Sequence, residues 1–258
     1  MDRPLLKLDK VSKKFGGLTA VEDFSMTLNE GELLGLIGPN GAGKTTTFNL
    51  ISGNLPVTSG RIIYKEKDIT DYRPDQIAEI GIARTFQNIR LMSGLTVLEN
   101  MQLAFHIWND YTIFDSFFRT NKFLKKEKKY LEEIDQTLAH FKILQHKNDI
   151  VDDLAPGIQR KADIARALLL KPNLILLDEP TAGMNPAETD ELADVIKWIN
   201  EDLKISTILV EHDMRVIMNI CPRIIVMEQG NIIAEGCPED VQSDKNVIEA
   251  YLGKSYQI

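Results

Sequence analysis

Short runs of uninterrupted apolar residues alternate along this chain with longer stretches whose apolar positions recur every three or four residues. The first pattern predicts strands buried on both faces, the second helices with one buried stripe. Leu33-Leu34-Gly35-Leu36-Ile37, Leu174-Ile175-Leu176-Leu177 and residues 206–210 are strand-sized runs. Leu5-Leu6-Lys7-Leu8-Asp9, residues 21–28, Arg61-Ile62-Ile63-Tyr64 and residues 82–87 read as further strands, and Lys13-Lys14-Phe15-Gly16-Gly17 as a turn carrying an exposed aromatic. Residues 223–227 and 232–234 flank Gln229-Gly230-Asn231 as a hairpin. Helical spacing marks residues 97–105, 131–141, 157–170 and 247–252, with a brief helix over 75–80 behind Pro74. Asn185-Pro186-Ala187-Glu188 opens another helix, with Asn as cap, Pro first and Glu three residues on. Leu192, Val195, Ile196, Ile199 and Leu203 then fall on one stripe.

This alternation predicts an α/β chain. From about 88 to about 155 glycines thin out and helical spacing dominates, the mark of a helical insert. The insert carries the aromatic cluster Trp108, Tyr111, Phe114, Phe117 and Phe118, which reads either as local core or as a docking face for a partner protein. The basic run over 122–129 reads as a solvated face, or as one lying near anionic lipid. With 258 residues, 43% hydrophobic and 26% charged, the composition is that of a globular protein of one or two domains. A net charge of −8 weighs against nucleic acid as the main partner. No apolar run approaches the roughly 20 residues that span a bilayer, so any membrane role is expected to come through docking. Cys221 and Cys237 are too few for a disulfide framework and lack metal-ligand spacing; with no secretory signal they suggest a reducing cytoplasm.

The sharpest chemical signal is Gly38-Pro39-Asn40-Gly41-Ala42-Gly43-Lys44-Thr45, a G-x-x-x-x-G-K-[ST] loop between a predicted strand and the predicted helix starting at Thr46. Its glycines let successive backbone N–H groups turn toward a polyphosphate, and the helix N-terminus adds unpaired donors. Lys44 can reach the β- and γ-phosphates, and the Thr45 hydroxyl can ligate Mg²⁺. The run ending in Asp178-Glu179 is the second signal: Asp178 can face the metal and Glu179 can act as base toward water. Open α/β sheets collect ligand groups at strand C-termini. Gln87, at a strand end, reads as a metal ligand or a turn cap. His212, at another, reads as a γ-phosphate contact or a satisfied polar group. Phe15 reads as a base-stacking ring or a core aromatic.

In order, the aromatic, the phosphate loop, the strand-end Gln, a helical insert, Asp-Glu and the strand-end His give the layout of the ATP-binding cassette proteins, and the chain resembles that family from end to end. Phe15-Gly16-Gly17, Arg84-Thr85-Phe86-Gln87, Leu95-Thr96-Val97-Leu98-Glu99-Asn100, Ala182-Gly183-Met184-Asn185-Pro186, Glu211-His212-Asp213-Met214 and Ala250-Tyr251-Leu252-Gly253 look most like the ATPase subunits of branched-chain amino-acid importers. The resemblance implies a P-loop NTPase core with a mixed β-sheet (about 1–87 and 161–258), an N-terminal antiparallel β subdomain and a helical subdomain insert (about 88–160). It implies ATP and Mg²⁺ as cofactors, with adenine on Phe15. The phosphates would lie on Gly38, Pro39, Asn40, Gly41, Ala42, Gly43, Lys44, Thr45 and Thr46, and the metal on Thr45, Gln87 and Asp178. Glu179 would be the base, His212 the switch, and Gln87 the sensor that communicates with the membrane partner. The implied partners are a second cassette subunit, two membrane permease subunits and an external substrate-binding protein, with this chain peripheral on the cytoplasmic face of the membrane. Two cassettes would close head-to-tail, so that the signature segment of one caps the ATP of the other.

That signature is where the chain departs from the family. Leu154-Ala155-Pro156-Gly157-Ile158 stands in place of Leu-Ser-Gly-Gly-Gln. Ala155 lacks the hydroxyl that would donate to a γ-phosphate, and Pro156 lacks an N–H. One lost hydrogen bond to a charged group costs about 1.5–3 kcal/mol, which slows turnover about tenfold to a hundredfold if the bond forms mainly in the closed state. The loss would fall on the partner's ATP, so an asymmetric pair with a different, full-signature cassette is expected. Two alternatives stand beside an amino-acid importer: a cassette for urea, amides or lipopolysaccharide export, and a non-transport cassette ATPase acting on DNA or the ribosome. A single cassette without long coiled-coil inserts, and the acidic charge, weigh against the second.

Overall fold

The computed structural model describes residues 3–105 and 121–252. The aromatic cluster from 108 to 118 lies outside the described residues. In chain order the elements are β1 (Pro4–Phe15), β2 (Leu18–Asn29), β3 (Leu33–Ile37), α1 (Lys44–Ile51), β4 (Ser59–Tyr64), β5 (Lys67–Asp68), α2 (Pro74–Glu79), β6 (Ile82–Arg84), α3 (Val97–Leu103) and α4 (Asn121–His140). Two 3₁₀ turns follow, then α5 (Pro156–Leu169), β7 (Leu174–Asp178), α6 (Pro186–Glu201), β8 (Ser206–Val210), α7 (Met214–Ile220), β9 (Arg223–Glu228), β10 (Asn231–Gly236), α8 (Pro238–Ser243) and α9 (Lys245–Leu252).

The strands form two sheets. The N-terminal one is antiparallel, ordered β2-β1-β4-β5; the larger is mixed, ordered β10-β9-β3-β8-β7-β6, with β10 its antiparallel edge strand. Strands β9, β3, β8, β7 and β6 run parallel. Every residue of β3, β7 and β8 is buried, which is why these segments read as unbroken apolar runs. Their two-residue period sorts side chains between two cores. Leu33, Ile37, Ile175, Leu177 and Leu209 face the core shared with the helices, while Leu34, Leu36, Leu174, Leu176 and Ile208 face the one shared with α1 and the antiparallel sheet.

The expected fold class is borne out: a P-loop core with a mixed sheet, an antiparallel N-terminal sheet and a helical insert. Several boundaries move. Lys13, Lys14 and Phe15 belong to β1, because the hairpin turns within Gly16-Gly17 and pairs Phe15 with Leu18. The strand expected over 82–87 ends at Arg84, although Thr85 still donates to the Leu176 carbonyl at 3.0 Å. The position expected for the divide, near 160, lies within the continuous helix α5. Within the insert, α3 starts at a Thr96–Glu99 capping box, and α4 buries Tyr130, Ile134 and Leu138. On the exposed face of α4, Lys128 and Lys129 lie 3.8 and 3.9 Å from Glu132 and Glu133. The Asn185–Glu188 box caps α6 as the sequence predicts.

Candidate nucleotide-binding site

Strand β3 delivers the phosphate loop and α1 begins at Lys44, so the loop bridges a buried strand and a helix N-terminus. Two of its glycines admit no substitute. A Cβ on Gly38 would lie 2.1 Å from the Met227 carbonyl oxygen, and one on Gly43, at φ 109°, 2.6 Å from that of Ala20. The loop is fastened from behind by Gly230, whose N–H donates to the Ala42 carbonyl at 2.9 Å. The buried Lys44 ammonium donates to the carbonyls of Gly38 (2.6 Å) and Pro39 (3.1 Å). Burial pulls its pKa below the usual lysine range, against the opposing charges of Glu179 and Asp178.

A cleft of about 690 Å³ runs along the loop, lined by Asn40 to Thr46, Gln87 and Glu179. Leu18, Thr19, Ala20 and Gln229 complete its wall. Sequence reasoning missed these four. Phe15 is 46% exposed, beneath the Lys13 ammonium at 5.1 Å, and is outside that lining. Leu18 pairs with Phe15 across the hairpin, so both stand at the same end of the β1–β2 ribbon.

The ends of β6, β7 and β8 supply the acidic wall. Asp178 is buried and accepts from Arg84 at 3.0 Å, and Arg84 also donates to Asn49 (2.7 Å) and Ser52 (2.9 Å) on and just beyond α1. Burial pushes the Asp178 carboxyl up, with Arg84 resisting. Glu179 follows at φ 46°, a left-handed conformation uncommon outside glycine, held by its N–H to the Val210 carbonyl at 2.8 Å. Its Oε2 accepts from Gln87 Nε2 at 3.0 Å and lies 3.9 Å from His212 Nδ1. His212 is exposed, whereas its neighbour Glu211 is fully buried, and burial raises the Glu211 carboxyl above its ordinary range.

Gln87 is positioned from the helical side. Arg160 of α5 is 4% exposed and donates to the carbonyls of Phe86 (2.6 Å) and Gln87. The signature segment opens the same helix: Ala155 is its N-cap, Pro156 its first residue and Gly157 is buried beside Glu188. Ala155 and Pro156 are exposed, and none of Leu154, Ala155, Pro156, Gly157 or Ile158 lines this chain's own cleft. Proline at a first helical position forfeits an N–H that has no intrahelical acceptor, so the helix itself tolerates it.

The donors available for a metal suit Mg²⁺. Thr45 and Gln87 line the phosphate cleft; both also border a smaller cleft of about 300 Å³ together with Asp178. A hydroxyl, an amide oxygen and one carboxylate are hard donors, and Mg²⁺ is held by one or two carboxylates together with waters and substrate phosphates rather than by an all-protein cage. Accordingly, no group of three His, Cys, Asp or Glu side chains among the described residues could hold a metal alone.

The sequence profile of the ABC transporter family matches residues 21–182, and that of the branched-chain amino acid ATP-binding cassette transporter matches residues 231–256. The chain is 39% identical over 255 residues to the high-affinity branched-chain amino acid transport ATP-binding protein LivG of Salmonella typhimurium, covering 99% of this chain and all of that one. It is 36% identical, over the same shares, to the corresponding protein BraF of Pseudomonas aeruginosa. In structure it resembles the ADP conformation of an ATP-binding cassette of an ABC transporter, with a TM-score of 0.83 and 31% identity, covering 97% of this chain and 99% of that one.

Proposed function

This chain belongs to the ABC transporter family, as an ATP-binding subunit of branched-chain amino acid transport, and on that premise we propose how its residues hydrolyse ATP and with what they assemble. The triphosphate lies along Gly38 to Thr46, with Lys44 moving from the loop carbonyls to the β- and γ-phosphates. Mg²⁺ would be held by Thr45, Gln87 and Asp178, and would neutralise charge on the phosphate oxygens. Glu179 takes a proton from water as the water oxygen bonds to the γ-phosphorus, and the bond to the β–γ bridging oxygen breaks to release ADP. His212 and Gln87 flank that water. The observation that carries this reading is the Glu179 carboxylate at the cleft wall, bonded to Gln87 and facing His212. For adenine, Leu18 lines the cleft wall and Phe15, paired with it across the hairpin, offers an exposed ring.

The exposed N-cap of α5, outside its own cleft, suits a segment that caps another cassette's ATP. The assembly is then two different cassettes, two membrane permeases and an external substrate-binding protein, with this chain peripheral on the cytoplasmic face. No described helix is long and apolar enough to cross a membrane.

Steady-state ATP hydrolysis by the full chain, alone and with its companion cassette, tests this, with Glu179→Gln as control. Activity that needs the companion and vanishes in Glu179→Gln is the expected result. Full activity of the chain alone would sink the asymmetric pair.

A further inference from the structure

Glu211 takes no part in the chemistry just described, yet it is 0% exposed, follows β8 directly before His212 and reaches across to the turn after β7 that carries Glu179. Its Oε1 accepts two hydrogen bonds from one residue across the gap, Thr181 N–H at 2.8 Å and Thr181 Oγ1–H at 2.7 Å. Its Oε2 accepts the His212 N–H at 3.2 Å and lies 3.7 Å from His212 Nδ1. Thr181 follows Glu179 by two residues, in the turn that Glu179 opens at φ 46°. The single backbone bond from Glu179 to Val210 ends one residue before Glu211.

We infer that Glu211 is a positioning residue for ATP hydrolysis, a buried carboxylate strut that fixes His212 and the Glu179–Thr181 turn in one geometry. It rests on the roles assigned above to Glu179 and His212.

The residue type follows from the donor count. Three donors converge on one side chain, two on one oxygen and one on the other. A carboxylate accepts with both oxygens, whereas an amide accepts with one and presents an N–H₂ on the other. Glutamine therefore keeps the Thr181 arm and sets donor against donor at His212, or flips and does the reverse. Glu179 and His212 act on one water, so small errors in their separation are costly. Burial makes the strut rigid, because neither end can exchange its partner for solvent.

The test uses the full chain in the assembly that hydrolyses ATP, comparing Glu211→Gln, Thr181→Val, Thr181→Ser and Glu179→Gln. Glu211→Gln is expected to lower kcat about tenfold, leave the Kd for a fluorescent ATP analogue within about twofold, and move the His212 amide proton signal upfield. Thr181→Val, which removes one of the two bonds to Oε1, is expected to lower kcat severalfold, and Thr181→Ser to recover that loss. If Glu211→Gln keeps the parent kcat while Glu179→Gln is inactive, Glu211 is a buried spacer and the inference is wrong. It is equally wrong if Glu211→Gln loses nucleotide affinity and melting temperature together and Thr181→Ser rescues nothing, because that is a folding role. An active Glu179→Gln would instead remove the base assignment, and the strut with it.

Discussion

The two walls of the cleft are built from different materials. The phosphate loop is a backbone object, with Gly38 and Gly43 pressed against the carbonyls of Met227 and Ala20 and no side chain able to stand in for the missing Cβ. The acidic wall is a side-chain object, in which Arg84 holds Asp178, Arg160 holds the Gln87 segment and Glu211 joins Thr181 to His212. A backbone cradle tolerates no intrusion at its contact points and is indifferent elsewhere. A side-chain wall fails one partner at a time, and each failure leaves a charge or donor stranded.

Arg84→Met breaks the second wall hardest. It leaves the Asp178 carboxylate, 4% exposed, without its cation, and breaking a buried pair from one side costs about 3–5 kcal/mol. Urea unfolding of the full chain is expected to show a loss of that size without nucleotide. Saturating Mg²⁺·ATP should stabilise the variant more than the parent, since the metal gives Asp178 a new cation. Equal stabilisation of both would count against Asp178 as a metal ligand.

Glycine substitutions separate the two kinds of wall more cleanly. Gly38→Ala drives a methyl group to 2.1 Å from a carbonyl oxygen, and is expected to cost about 3 kcal/mol or more and to abolish binding of a fluorescent ATP analogue. Gly41→Ala, at φ 84° with nothing within 4 Å of its Cβ, bears only the backbone penalty of about 1–2 kcal/mol. Equal losses at the two positions would mean that φ, rather than the press of β9 on the loop, sets the requirement for glycine.

The same contrast explains what the sequence made legible. A backbone cradle stamps its glycines at fixed spacing, so the loop can be read without any partner in view. Asp178 and Glu179 are legible because a wholly buried strand must end somewhere, and an acid pair at that end stands out. Arg160 and Glu211 have no such stamp: their partners lie 74 and 30 residues away, and a buried ion looks like any other charge until the chain is folded. Leu18 carries no such stamp either: the two-residue glycine turn pairs it with Phe15 and brings it to the cleft wall. Helix α7 is short enough to hide behind Glu211-His212-Asp213: Asp213 caps it, and only Val216, Ile217 and Ile220 carry its buried spacing.

The smallest expected effect falls where neither wall reaches, at Ala155. As the N-cap of α5 it offers no side-chain acceptor to the first helical turn, and Pro156 behind it sits where an N–H is not needed. Ala155→Ser should raise the stability of the isolated chain by about 1 kcal/mol through capping alone, seen as a higher melting temperature. A capping serine uses an oxygen lone pair, so its hydroxyl hydrogen stays free for a γ-phosphate held by a companion cassette. In the assembled pair the same substitution is expected to raise turnover about tenfold, the return of one hydrogen bond to a charged group. A rise in melting temperature with turnover unchanged would leave the cap intact as a helix device and remove the asymmetry from the catalytic cycle.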